Sequence, residues 1–239
     1  MSHIFISDLH LEEGRPDITD AFLHFLETTA AQAEHFYILG DLFEVWLGDD
    51  HISPFNATII NALTGLTMPR YIMHGNRDFL IGAHFCEQTG FTLLDDPSPM
   101  QIYDQTVLLM HGDSLCTQDQ EYMRVRTIAR DADFQRQLLV KSIEERLVFA
   151  RNARGQSKQH TRETAMDIMD VTPTEVVREM QSHDVRLLIH GHTHRPNVHD
   201  VMSEASTLTG RRIVLGDWDR QGWYLEINES DFALKSFDI

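Results

Sequence analysis

Gly40-Asp41-Leu42-Phe43-Glu44-Val45-Trp46-Leu47-Gly48-Asp49-Asp50 follows directly on the apolar run Phe36-Tyr37-Ile38-Leu39, so a strand-like segment stops abruptly at a glycine and a carboxylate. Four other segments end in the same way. His3-Ile4-Phe5-Ile6-Ser7 runs into Asp8-Leu9-His10, Arg70–Met73 into His74-Gly75-Asn76-Arg77-Asp78, Thr106–Met110 into His111-Gly112-Asp113, and Val185–Ile189 into His190-Gly191-His192-Thr193-His194. Between these strands lie helical patterns. Pro16 opens one with Ile18, Phe22, Phe25 and Leu26 on a face; Ser53 and Pro54 cap and start another, carrying Phe55, Ile59, Leu63 and Leu66. A short helix is expected from Phe79 towards Gly90. Thr172-Pro173-Thr174-Glu175 reads as a capping box before Val176, Val177 and Met180. Arg212–Leu215 and the alternation Trp223, Leu225, Ile227 read as closing strands. Alternating strands and helices make the fold class α/β, in which ligands gather outside the carboxyl ends of strands. The polar tips should therefore converge on one edge.

Composition narrows the setting. With 239 residues and 42% hydrophobic content the chain has ample material for a core, and residues 1–239 are expected to form a single domain. No apolar run exceeds four residues, far short of the roughly 18 needed to span a bilayer, and Met1-Ser2-His3-Ile4 lacks a basic leader before a long apolar region. Neither export nor membrane spanning is expected. Cys86 and Cys116 read as reduced thiols without a role. The formal charge of −17 argues against a nucleic-acid partner, and no protein partner can be inferred. From Tyr122 to Arg162, however, ten of the twenty Lys and Arg stand against four Asp and Glu, a local excess of +6 that leaves −23 elsewhere. Leu139, Ile143 and Leu147 give this basic island helical spacing, so it reads as a helical insertion between core strands.

The tips collect seven metal-type side chains: Asp8, His10, Asp41, Asn76, His111, His192 and His194. Carboxylate, imidazole and amide oxygen without thiolate disfavour structural zinc and suit Mn²⁺, Fe²⁺ or a similar ion. Seven ligands exceed the needs of one open catalytic metal. They suit two metals about 3.5–4 Å apart that share a carboxylate, activate a water and clamp a phosphoryl group.

The order Asp8-x-His10, Gly40-Asp41, Gly75-Asn76, His111, Gly191-His192-x-His194 resembles the calcineurin-like metallophosphoesterases. The flanks Ser7–Leu11, Gly40–Glu44, His74–Phe79, His111–Cys116 and Gly191–Pro196 further resemble the UDP-2,3-diacylglucosamine hydrolase family of bacterial lipid A synthesis. The resemblance implies an αββα sandwich, with about 118–165 as a helical lid, and two Mn²⁺ per chain. It also implies hydrolysis of a lipid nucleotide to UMP and 2,3-diacylglucosamine 1-phosphate at the cytoplasmic face of the inner membrane, with peripheral attachment. One metal would take Asp8, His10, Asp41 and His194, the other Asp41, Asn76, His111 and His192, with Asp41 the bridge. Asn76, Arg77 and His192 would act in catalysis and touch substrate, together with Asp119, Ser157, Thr161 and Thr164. His74 and His190 would support the ligands, while His3, His24, His35, His51, His84, His160, His183 and His199 carry no assigned role.

Two positions depart from the broader patterns. Arg77 stands where the superfamily usually has a His that protonates an alkoxide; a sugar 1-phosphate, with a second pKa near ~6, leaves without that help. A guanidinium clamping phosphate oxygens then serves better, unless Arg77 is taken up by Asp78 or Asp113. Thr164 stands where related enzymes often have Lys, with Lys158 or Arg162 as substitutes. The island's Arg and Lys around Val125, Ile128, Leu139, Ile143, Leu147 and Phe149 could form an acyl groove and meet an anionic membrane, or be a solvated helix pair. Two rivals remain open: a dimetal phosphodiesterase acting on a soluble nucleotide, and a non-catalytic metal-dependent binding protein.

Overall fold

The computed structural model describes residues 2–165, 168–202 and 208–239, leaving aside the side chains of Thr161 and Leu208. The first half follows a strand-helix rhythm: β1 (His3–Ile6), α1 (Pro16–Thr28), β2 (His35–Ile38), α2 (Pro54–Thr64), β3 (Arg70–Met73), α3 (Ala83–Thr89) and β4 (Thr92–Leu94). Strands β5 (Ser98–Ile102) and β6 (Gln105–Met110) follow. Then come three helices, α4 (Gln120–Ala129), α5 (Ala132–Leu139) and α6 (Ile143–Glu163), and α7 (Pro173–Ser182). The chain closes with β7 (Leu187–His190), β8 (Asn197–Met202), β9 (Leu208–Val214), β10 (Gln221–Ile227) and β11 (Phe232–Asp238).

These strands form two sheets, of order β11-β10-β1-β2-β3-β4 and β5-β6-β7-β9-β8. Their centres are parallel, β1 to β2 to β3 in one and β6 to β7 to β9 in the other. A parallel strand buried on both faces reads as an unbroken apolar run, which is why the tips stood out in the sequence. Ile4 and Ile6 point to one side of β1, where they meet Phe22 and Phe25 of α1, Ile59 and Leu63 of α2, and Phe85 of α3. Phe5 points to the other, where it joins Tyr37 and Leu39 against Leu109, Ile189 and Ile213 of the second sheet. Beyond that sheet, Leu108 and Leu188 pack on Val176 and Met180 of α7. The layers are therefore αββα, and each large apolar side chain buried between them contributes roughly 1.5–3 kcal/mol.

Local rules hold at some ends and fail at others. Ser53 caps α2 by accepting from Asn56 N–H, and Gly90 closes α3 at a φ of 71°. The helix expected from Phe79 starts only at Ala83. Its first turn is fixed from a distance, because Asp49 accepts the N–H groups of Gly82 and Phe85. The capping box at Thr172 does not form; the Thr172 hydroxyl accepts from Thr117 instead. The box lies at Ser142 and Glu145, ahead of α6.

Candidate metal centre

The tips leave their strands through left-handed turns. Asp8, His10, Asp41, His192 and His194 have φ between 49° and 65°, a region costly for most side chains but tolerated best by Asn, Asp and His. Such turns swing each side chain back over the strand ends. Gly75 and Gly191 make room for the result: a Cβ at Gly75 would overlap Asp41 Oδ1, and one at Gly191 would overlap Asp8 Oδ2.

Two groups form about Asp41. In the first, His194 Nε2 is 3.3 Å from Asp8 Oδ1 and 3.4 Å from His10 Nε2, which is 3.8 Å from Asp41 Oδ2. In the second, Asn76 Oδ1 is 3.1 Å from His111 Nε2 and 3.0 Å from His192 Nδ1, and His111 Nε2 is 3.9 Å from the same Asp41 Oδ2. Ligands bound at about 2.1 Å and at right angles lie about 3 Å apart, so these spacings suit cations. The carboxylates are oriented to match. Asp8 Oδ2 accepts from the Ser7 hydroxyl and His192 N–H, while Oδ1 is buried without a hydrogen-bond partner. Asp41 Oδ1 accepts from Arg77 N–H, which leaves Oδ2 between the groups.

Acceptors behind the imidazoles fix their orientation. His111 Nδ1 donates to the Leu39 carbonyl at 2.8 Å; His10 Nδ1 faces Glu44 at 3.3 Å and His194 Nδ1 faces Asp217 at 3.4 Å. Burial opposes protonation of His194, but Asp8 and Asp217 outweigh it and push its pKa up to about 10. His192 is pulled down to about 4 by burial and by His111. Burial alone would push the Asp8 carboxyl up, yet His194, His111 and His10 hold it well below the usual range. A cation entering here would displace the His194 proton and take over that balancing charge.

Asp78 binds the two central turns together. Fully buried, it accepts from Gly75 and Leu42 N–H, each at 2.8 Å, and burial with the Asp41 charge lifts its pKa to about 6. Asp113 does the same towards α4, accepting from the Tyr122 hydroxyl and pairing with Arg126 and Arg130. Both carboxylates are thus engaged, and no ion pair joins them to Arg77 among the described residues. Arg77 instead donates to the Ser157 hydroxyl at 3.3 Å, across the cleft.

A cavity of about 580 Å³ opens over the two groups. His10, Asp41, Asn76, His192 and His194 line its core side; Asp119, Tyr122, Arg154, Ser157 and His160 line the helical side. Asp119 caps α4 and holds His160 at 2.7 Å. Thr164 touches His160, and the Thr161 side chain lies outside the described residues. Lys158 and Arg162 are exposed; the basic residue of α6 within the cavity is Arg154, paired with Glu44. Further along the stretch that carries Asp41, Glu44 also lines the cavity, while Asp49 caps α3 and Asp50 binds Arg146. Sequence reading gave Asp217, Arg154 and His160 no place in the site and offered Asp78 only as a partner for Arg77; each acts through a partner distant in the chain.

Strands delivering carboxylate, amide and imidazole to the seam of an αββα sandwich define a metal-dependent phosphoesterase, and the chain belongs to the calcineurin-like phosphoesterase family, whose model matches residues 1–196. That family uses divalent metals, and Asp8, His10 and His194, like Asp8, Asp41 and His111, are grouped closely enough to hold one. More particularly, the chain is 54% identical to the UDP-2,3-diacylglucosamine hydrolase of Ectopseudomonas mendocina (strain ymp), covering 99% of this chain and 98% of that one. It is also 54% identical to the UDP-2,3-diacylglucosamine hydrolase of Pseudomonas paraeruginosa (strain DSM 24068 / PA7), over 100% of both. Among solved structures, an archaeal phosphodiesterase shares the fold at a TM-score of 0.51 and 13% identity, covering 99% of this chain and 100% of that one.

Proposed function

We propose that the protein hydrolyses the pyrophosphate bond of UDP-2,3-diacylglucosamine, giving UMP and 2,3-diacylglucosamine 1-phosphate, with two Mn²⁺ held by the seven strand-end ligands. The observation that carries this is the single oxygen, Asp41 Oδ2, set between His10 and His111 at 3.8 and 3.9 Å. Strand order supports the same reading, since β2, which delivers Asp41, runs between β1 and β3. Asp8, His10 and His194 then hold one ion, and Asn76, His111 and His192 the other. When bound, the metals supply an activated water and charge neutralisation at the phosphorus next to uridine.

The chain's own groups position the substrate. Arg77 clamps the diphosphate oxygens, with Arg154 as a second cation, and Asn76 and His192 fix the attacked phosphoryl group. No side chain is asked to protonate the departing sugar phosphate, which leaves as a stable anion. Asp119, Ser157, Thr161 and Thr164, on α4 and α6 or at their ends, complete the uridine and sugar contacts, and residues 118–165 act as a lid on the single domain.

An apolar pit supports a lipid substrate. Val45, Trp46, Phe79, Leu138 and Phe149 line it; at about 60 Å³ it has room for the first few carbons of an acyl chain, and it shares Asn76, Arg77 and Arg154 with the metal cavity. Val125, Ile128, Val140 and Val148 are more than half exposed among the island's cations, a surface suited to peripheral contact with the cytoplasmic face of the inner membrane. Among the described residues no helix is long and apolar enough to cross a membrane. Turnover of the lipid nucleotide with Mn²⁺ in ¹⁸O-water tests the reading. The label should enter UMP; label in the sugar phosphate, or faster hydrolysis of a non-lipid UDP-sugar, would overturn it.

A further inference from the structure

His190 ends β7 on the outer face of its sheet. Side chains alternate along a strand, so His190 shares a face with Leu188, which packs on α7, whereas Ile189 turns inward against the first sheet. Arg212 of β9 stands in register with Leu188. Its guanidinium reaches along that outer face and donates to His190 Nε2 at 3.0 Å. The other ring nitrogen, Nδ1, lies 2.8 Å from the Gly191 carbonyl. That carbonyl also accepts Thr193 N–H at 2.8 Å, and Gly191 N–H donates to the His111 carbonyl at 2.9 Å. A Cβ at Gly112 would overlap His190 Nδ1, so the ring presses on the turn after His111 as well. His190 therefore stands directly behind two of the ligand-bearing turns.

These partners leave the imidazole one state. A guanidinium can only donate and a carbonyl can only accept. Nε2 must carry the lone pair and Nδ1 the proton. A proton on Nε2 would face the N–H groups of Arg212, and a lone pair on Nδ1 would face the Gly191 oxygen. The ring is fully buried, so water cannot mend either mismatch. An ion pair does not account for Arg212. Asp170 and Asp200 line the same outer cavity but pair with Arg195 and Arg211. Among the described residues, the hydrogen bond to His190 is the polar contact that Arg212 makes.

We propose, on the reading of His192 and His194 as metal ligands, that Arg212 is a positioning residue for the metal centre. By donating to Nε2 it confines His190 to the Nδ1–H tautomer. That N–H holds the Gly191 carbonyl, and with it the turn that carries His192 and His194. Without Arg212 the ring also populates the Nε2–H form, whose Nδ1 lone pair repels the carbonyl and loosens both ligands. Such support behind a ligand typically matters by about 10–100-fold in metal affinity. Arg212 does not line the metal cavity, so it acts without touching substrate.

The test compares the full chain with Arg212→Leu and Arg212→Lys. Nitrogen-15 spectra of the histidines, with diamagnetic Zn²⁺ in place of Mn²⁺, should show His190 as Nδ1–H in the wild type and as a tautomer mixture in Arg212→Leu. Manganese binding by equilibrium dialysis should weaken about 10–100-fold in Arg212→Leu, with KM for substrate unchanged at saturating manganese. Arg212→Lys keeps one donor and should restore the tautomer and most of the affinity. Should Arg212→Leu fold poorly, His190→Asn against His190→Leu carries the test: the amide keeps an N–H where Nδ1–H stood and should hold manganese as the wild type does, whereas leucine should not. A fixed Nδ1–H tautomer in Arg212→Leu, unchanged manganese affinity there, or equal affinity in the two His190 variants would overturn the proposal. These measurements read protons and bound metal, so a chain that passes them and still fails to cleave the lipid nucleotide would refute the proposed reaction and not the role of Arg212.

Discussion

The cradle of strand tips and the helices above it are built on opposite plans. In the cradle, Asp8, Asp41 and His111 are at most 1% exposed, and each is held by backbone groups of neighbouring turns. Helix α4 buries none of its residues and α5 only Leu138. The helices are tied down mainly by charge: Arg126 and Arg130 to Asp113, Arg146 to Asp50, Arg154 to Glu44 and His160 to Asp119. Burial fixes ligands to within fractions of an ångström; partly buried ion pairs between long side chains hold the helices at a few points without packing them continuously. On the proposed function, chemistry and selection would thus be separated by the kind of contact that holds each.

The largest effect should come from the cradle. Asp41→Ala or His111→Ala removes metal-held charge stabilisation of several kcal/mol, so turnover should fall on the order of 10³-fold or more, measured with manganese in excess. The same variants should leave protease resistance of the three inserted helices unchanged, which separates the two plans. Next comes Arg77, which spans both regions. Arg77→Ala should lower kcat/KM by about 10²–10³-fold and Arg77→Lys should restore only part, because an ammonium cannot clamp two oxygens.

Smaller effects should appear in the cover. Arg146→Met removes donors to the Leu47 carbonyl and to Asp50, and should loosen α6 by about 1–3 kcal/mol, read as faster hydrogen exchange there with cradle amides unaffected. The smallest is a pH effect. The Arg146 hydrogen bond holds the Asp50 carboxyl below its usual range. A carboxyl depressed by folding adds stability above its unfolded pKa of about 3.9 and loses it as pH falls further. Exchange of α6 should therefore quicken as pH drops below about 4 in the wild type and not in Asp50→Asn. Equal responses in cradle and cover would erase the contrast.

The cradle was legible in the sequence because strands buried on both faces are continuous apolar runs with abrupt polar ends, and the family motifs fall on those ends. The edge strands were not. β4 and β11 bury no residue fully and β5 and β8 only one each, so none of them carries a continuous apolar run. Helix ends failed where a distant partner decided them, Asp49 at α3 and Thr117 at Thr172. The same reason hid Asp78, Asp217, Arg154 and His160, whose roles exist only once separate segments meet.

The two crowded glycines have an evolutionary consequence. Any side chain at Gly75 or Gly191 would strike a carboxylate oxygen on the neighbouring turn. No exchange at either position keeps that oxygen in place, so any selection for the cradle would have no alternative residue to accept at these two points of the seam. Innovation is left to the tethered helices, where sequence can drift, lengthen or be replaced while the inherited chemistry beneath stays fixed.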